Sequence, residues 1–271
     1  MMRELYTAAS GMRAQQTNVD NISNNIANVN TTAFKSQKTE FKSLLYQTIQ
    51  TRTTSANGEE KPIGAQVGLG TRVASNTTSY TQGALLEDES KSAFAIEGDG
   101  FFQVRGADGT TYYTRNGNFN WSIGPTGTTL TNTDGYPVLD SNGKTIVLPN
   151  NVNSEKAVVT TDGQVGYYNN AGAYVSMNQT IGLSQFNNPA GLEKAGSNLL
   201  RVTNASGAAL NEAANANLTR SKIHQGYLEG SNVQVADEMV NLIVAQRAYQ
   251  LNSKAITTSD DMLEQANNLK R

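Results

Sequence analysis

Both ends of the chain carry a seven-residue apolar repeat, and almost everything between them lacks one. Near the N-terminus the repeat runs Leu5, Met12, Val19, Ile26; near the C-terminus it runs Val235, Leu242, Tyr249, Ile256, Leu263. Apolar side chains recurring every 3.5 residues or so line up as one stripe along a helix, and a stripe needs a partner to cover it. The two ends are therefore expected to cover each other or the ends of neighbouring copies, as in an assembly protein. The residues assigned to that interface are Leu5, Met12, Val19, Ile22, Ile26 and Val29, together with Val235, Met239, Leu242, Tyr249, Ile256 and Leu263.

The N-terminal helix is a weak one. A second row, Ala8, Gln15, Ile22 and Val29, widens its stripe, but Gln15 interrupts it. Asn21, Asn24, Asn25, Asn28 and Asn30 lower helix propensity, because Asn side chains compete for backbone hydrogen bonds. The helix is expected to be marginal alone and to end near Asn28 to Thr32. Residues 34–46, with Phe34, Phe41, Leu44, Leu45 and Tyr46, read as short helix or extended anchor. Gln47 to Arg72, which contains Pro62, is rich in Thr, Ser, Gly and Gln, and it reads as a linker or extended hairpin that packs only in the assembled state. At the other end Ser231 or Asn232 is expected to cap the last helix, with Asp237 and Glu238 near its positive end, and that helix should run to about Asn268.

Between the helices the period changes. Phe101-Phe102-Gln103-Val104, Tyr112-Tyr113, Ile146-Val147-Leu148, Val158-Val159 and Ile181 to Phe186 are short strand-like runs. They alternate with Asp108-Gly109, Asn116-Gly117, Asp134-Gly135, Asn142-Gly143 and Asp162-Gly163, dipeptides that accept the positive φ of tight turns. The fold class expected is α + β: N- and C-terminal helices paired as a coiled coil, with an irregular, barrel- or sandwich-like all-β centre. Three parts follow: a terminal helical domain from 1–33 and 232–271, a connecting segment from 34–75 and 220–231, and a β domain from 76–219.

The composition excludes several functions. A net charge of −2, with Lys and Arg scattered, leaves no basic footprint for nucleic acid. There is no cysteine, hence neither a disulfide framework nor a thiol site. The start, Met1-Met2-Arg3-Glu4-Leu5, lacks an apolar signal region, and no apolar run approaches the ~18 residues of a membrane span. Gly98-Asp99-Gly100 precedes a strand rather than a helix, and the stretch from Gly64 to Thr71 lacks the Lys of a phosphate loop. His224 is the single histidine, and no Gly-x-Ser-x-Gly elbow supports a triad around it. Glu87-Asp88-Glu89 and Asp260-Asp261 read as solvated faces, since adjacent side chains diverge. Arg247 and Lys254, seven apart, share a face that either meets acidic groups of a neighbour or a channel, or is an ordinary solvated flank of a coiled coil. No catalytic, cofactor-binding or metal-binding residue is assigned.

Several runs resemble the bacterial flagellar rod and hook family. The residues that carry the likeness are Ser23 to Lys35, Gly98 to Phe102, Tyr113 to Phe119, Ser231-Asn232-Val233, Glu238-Met239-Val240 and Gln246 to Tyr249 with Asn252-Ser253-Lys254. They span nearly the whole chain in the family's order, with Ala33 standing where the family usually carries Gly. The resemblance implies a helical homopolymer, exported through the flagellar type III apparatus without a cleaved signal peptide. It would form a hollow shaft across the periplasm between proximal rod and hook, inside the surrounding ring (bushing) proteins, with no membrane insertion. The length and the stretch with Gln47, Pro62 and Arg72, assigned to rod stiffening, set it apart from the longer hook protein. Proximal rod or hook subunit is the near alternative; an exported cell-wall-active enzyme is the remote one. The terminal helices are expected to be largely disordered in the monomer and to order on polymerisation.

Overall fold

The computed structural model describes residues 2–50, 64–124, 127–149, 152–169, 173–215 and 217–269. Its contacts divide the chain into two compact units, one formed by 1–27, 37–78 and 234–271, the other by 28–36 and 79–233.

The first unit holds helix α1 (Met2–Ala27), strands β1 (Gln37–Ser43), β2 (Tyr46–Gln50), β3 (Ala65–Gly68) and β4 (Thr71–Thr78), and helix α2 (Val235–Asn268). The helices run antiparallel. Asn25 meets Glu238 near one end, and Gly11 meets Asn252 near the other. An added Cβ at Gly11 would stand 2.8 Å from Asn252 Nδ2 and would require that side chain to shift. Strand β1 pairs with β4 from Gln37↔Thr78 to Ser43↔Thr71, and β2 pairs with β3. Leu44 N–H donates to Gly70 O (2.9 Å) and Leu69 N–H to Leu45 O (3.2 Å), so the two pairings join into one long ribbon. The stretch read as linker or hairpin is thus a hairpin on both flanks; Pro62 lies outside the described residues.

The ribbon runs back along α1. Asn21 donates to Thr39 Oγ1 (3.0 Å), and Asn25 uses its amide as a strand would: Nδ2 donates to Gln37 O (2.8 Å) and Oδ1 accepts from Gln37 N–H (3.0 Å). Further along, Ser10 Oγ accepts from Thr71 N–H (3.2 Å), and Gly70, at φ 115°, leaves no room for a Cβ beside that hydroxyl. Helix α1 therefore has α2 on one side and the ribbon on another, and the three form a layered body.

The second unit is all-β apart from two single-turn 3₁₀ helices. A six-stranded antiparallel sheet runs in the order Glu193–Gly196, Leu199–Arg201, Thr111–Thr114, Phe101–Arg105, Leu183–Gln185, Leu210–Asn211, beside two three-stranded sheets. No closed barrel forms among the described residues. Adjacent side chains of a strand point to opposite faces, so Phe102 enters the main core with Phe94, Phe119 and Ile223, while Phe101 enters a second one with Tyr113 and Phe186. Four of the five turn dipeptides put Gly at positive φ: Gly109, Gly135, Gly143 and Gly163. Asn116-Gly117 differs. A Cβ at Gly117 would collide with the Phe94 carbonyl, so this glycine serves close backbone approach instead.

Candidate assembly surfaces

Lys35, Arg115 and Glu229, drawn from the N-terminal, central and C-terminal motif regions, meet in the interior of the second unit. Lys35 Nζ donates to Glu229 Oε1 (2.6 Å) and Thr81 O (2.7 Å). Arg115 stands 3.7 Å from Glu229 Oε2, donates to Gly98 O (2.6 Å) and lies over the Phe101 ring. Burial pushes the pKa of both Lys35 and Arg115 down, and the Glu229 carboxylate opposes that by favouring their charged forms. The preceding turn is strained, with Ala33 at φ 57° donating its N–H to Glu229 O (2.7 Å). Sequence reasoning singled out the motifs but not this ion cluster, since nothing in linear spacing links positions 35, 115 and 229.

Asn232 corrects an expectation. It is not the cap of α2: its Oδ1 accepts from Ser36 N–H (2.8 Å), and its Nδ2 donates to Ser79 O (2.9 Å) and Thr81 Oγ1 (2.9 Å). Ser231 Oγ accepts only from Val233 N–H, and the position before the helix is Gln234, which makes no side-chain cap bond. Asp237 and Glu238 do occupy the first turn. An Asn preceding a helix reads as a cap by default; here its amide is spent on the β unit.

The stripe residues divide into two groups. Ile22 is buried, and Leu5, Met12, Val19, Ile26, Leu242, Ile256 and Leu263 are half-buried, as expected of a helix pair. Val19 and Tyr249 line one groove between the helices, edged by Gln16, Gln246 and Gln250. Val29 falls in the turn after α1 and is not on the stripe. Val235, Met239 and Tyr249 stay exposed.

The larger exposed surface was not among the assigned residues. Val240, Ile243, Val244 and Leu251 follow a second stripe at helical spacing, with Val244 63% and Leu251 68% exposed. From Met239 to Ser253 the one charged residue is Arg247, which is itself exposed. The ribbon has a similar patch: Leu45 is 82%, Tyr46 62% and Ile49 60% exposed, with Gln47 beside them. Arg72, at the start of β4, is exposed and marks where charge returns to the ribbon. Burying one such apolar side chain fully is worth about 1.5–3 kcal/mol. The exposed runs could have been found by marking the i, i+3, i+4 neighbours outside the heptad row.

His224 Nε2 lies 2.8 Å from Glu97 Oε2 at a half-exposed sheet edge, and among the described residues no three acidic or histidine side chains cluster as metal ligands. No described helix is long and apolar enough to cross a membrane.

Uncovered apolar faces on the helix pair and on the ribbon mark a subunit that assembles with others. The chain belongs to the flagellar basal-body rod protein family. Residues 5–35 match the flagella basal body rod protein model, 95–167 the flagellar hook protein FlgE/F/G D1 domain, and 224–269 the flagellar basal body rod FlgEFG protein C-terminal model. It is similar to the flagellar basal-body rod protein FlgG of Borreliella burgdorferi, 43% identical over 273 residues and covering 100% of both chains. It is 40% identical to that of Bacillus subtilis, again over the whole of both. The flagellar hook-basal body complex protein FlhP of Bacillus subtilis is a more distant relative, 31% identical over 282 residues.

Proposed function

We propose that this chain is the structural subunit of the flagellar distal rod. Copies polymerise helically into a rigid hollow shaft, continuous with the proximal rod at one end and the hook at the other, and turning inside the bushing rings. Helices α1 and α2 form the inner tube, the ribbon stiffens it, and the β unit lies outside. The chain reaches that position through the type III apparatus and performs no catalysis.

The observation that carries this reading is the uncovered, charge-poor α2 stripe in a chain whose full-length relatives are rod proteins. A monomer gains nothing from exposing Val240, Ile243, Val244 and Leu251 together, whereas a polymer covers them. The test is complementation of cells lacking their own distal rod subunit, with basal bodies extracted and imaged. Rods that reach full length and carry hooks support the reading. Rods that stop at the proximal segment despite export of the chain contradict it.

A further inference from the structure

We propose that the outer half of the ribbon docks on the exposed α2 stripe of a second copy of this chain. The pairing rests on the rod reading and names the two surfaces that make the polymer grow.

Three observations select this occupant. The first is layering. On α2, the residues turned to α1 (Leu242, Ala245, Asn252, Ile256) and the exposed row (Val240, Val244, Leu251) lie on opposite sides of the helix at about 100° per residue. Helix α1 is also bound by the ribbon through Ser10, Asn21 and Asn25. The body thus ends in two different apolar faces, ribbon and α2.

The second is charge. Among the described residues, Ser43–Gln50 and Gly64–Thr71 contain no Asp, Glu, Lys, Arg or His, while the inner ribbon carries Lys38, Glu40, Lys42 and Arg72. Free sheet edges are ordinarily protected by charge; the described part of this one carries none, and Arg52, Glu59, Glu60 and Lys61 fall between residues 51 and 63 of the sequence. The α2 stripe has the same character, with Arg247 alone between Met239 and Ser253. A charged partner would be desolvated against either face without compensation.

The third is size and symmetry. Leu45 to Ile49 spans about 13 Å of strand, and Val240 to Leu251 about 17 Å of helix. Pairing two α2 stripes would be isologous and would close as a dimer, whereas pairing unlike faces is heterologous and propagates as a helical filament.

The chain has no cysteine, so pairs can be placed freely. An Ile49→Cys copy and a Val244→Cys copy, co-polymerised and treated with a short bis-maleimide, should give a cross-linked heterodimer and neither homodimer. In a second arm, Ile49→Glu and Val244→Lys should each raise the critical concentration for polymerisation at least about tenfold, and the double variant should recover most of it. Homodimer cross-links in the polymer of the two cysteine copies, or single charge variants that polymerise normally, would overturn the pairing and leave the rod reading standing. A wild-type chain that never polymerises would sink both.

Discussion

Ala33 holds a left-handed backbone, φ 57°, at a place where the rod and hook pattern carries glycine. The turn needs positive φ even without glycine, and alanine bears the strain. A non-Gly residue in this region costs about 1–2 kcal/mol, partly offset by the freedom that glycine adds to the unfolded chain. Ala33→Gly should therefore stabilise the β unit by about 0.5–1 kcal/mol in denaturant unfolding, and a loss of stability would contradict the assignment. Nearby, Glu229 is 1% exposed and answers two cations. Glu229→Gln should cost about 3–5 kcal/mol, because it leaves buried charge uncompensated. Glu193→Gln, which breaks the exposed Arg201–Glu193 pair, should leave stability nearly unchanged. Equal midpoint shifts in thermal unfolding would refute that contrast. Asn25 was legible only as a poor helix former. Its real task, pairing with the backbone of Gln37, lies twelve residues away, and no propensity scale encodes it.

At the scale of elements, the helices and most turns were readable and the ribbon was half so. Helix α2 ends at Asn268, as its pattern indicated, because a sustained 3.6-residue period leaves little ambiguity. Phe101-Phe102 and four Asp-Gly or Asn-Gly turns marked strands and their ends correctly, since those dipeptides supply positive φ cheaply. The ribbon escaped because its Thr and Gln break strict alternation, and its partner strand stands some twenty residues off. An isolated two-stranded ribbon is marginal in water, so its order depends on its bonds to α1. Deleting residues 47–72 should leave export intact and make the polymer bendable; tubes of unchanged straightness and stiffness would remove the stiffening role. The helix pair is similarly weak, its seam mixing half-buried Leu242 and Ile256 with the small or polar Ala245, Asn252 and Ser259. Circular dichroism should show helicity rising on polymerisation, and fully helical, protease-resistant ends in dilute monomer would contradict this.

At the scale of the whole molecule, composition and motif order gave the class of the protein, but not the contacts that build it. The heptad rows mark how α1 and α2 cover each other. Those rows leave Val235, Met239 and Tyr249 exposed, and the other uncovered apolar residues lie off them, on Val240 to Leu251 and on Leu45 to Ile49, where a pattern search tuned to one seam does not look. Exposure, which a sequence does not display, separates the two roles. The proposed placing of the terminal helices in the inner wall of a tube is open to electron cryo-microscopy of the polymer. Straight hollow tubes with α1 and α2 around the channel and the β unit outside are expected. Supercoiled tubes, or a channel lined by the β unit, would contradict it.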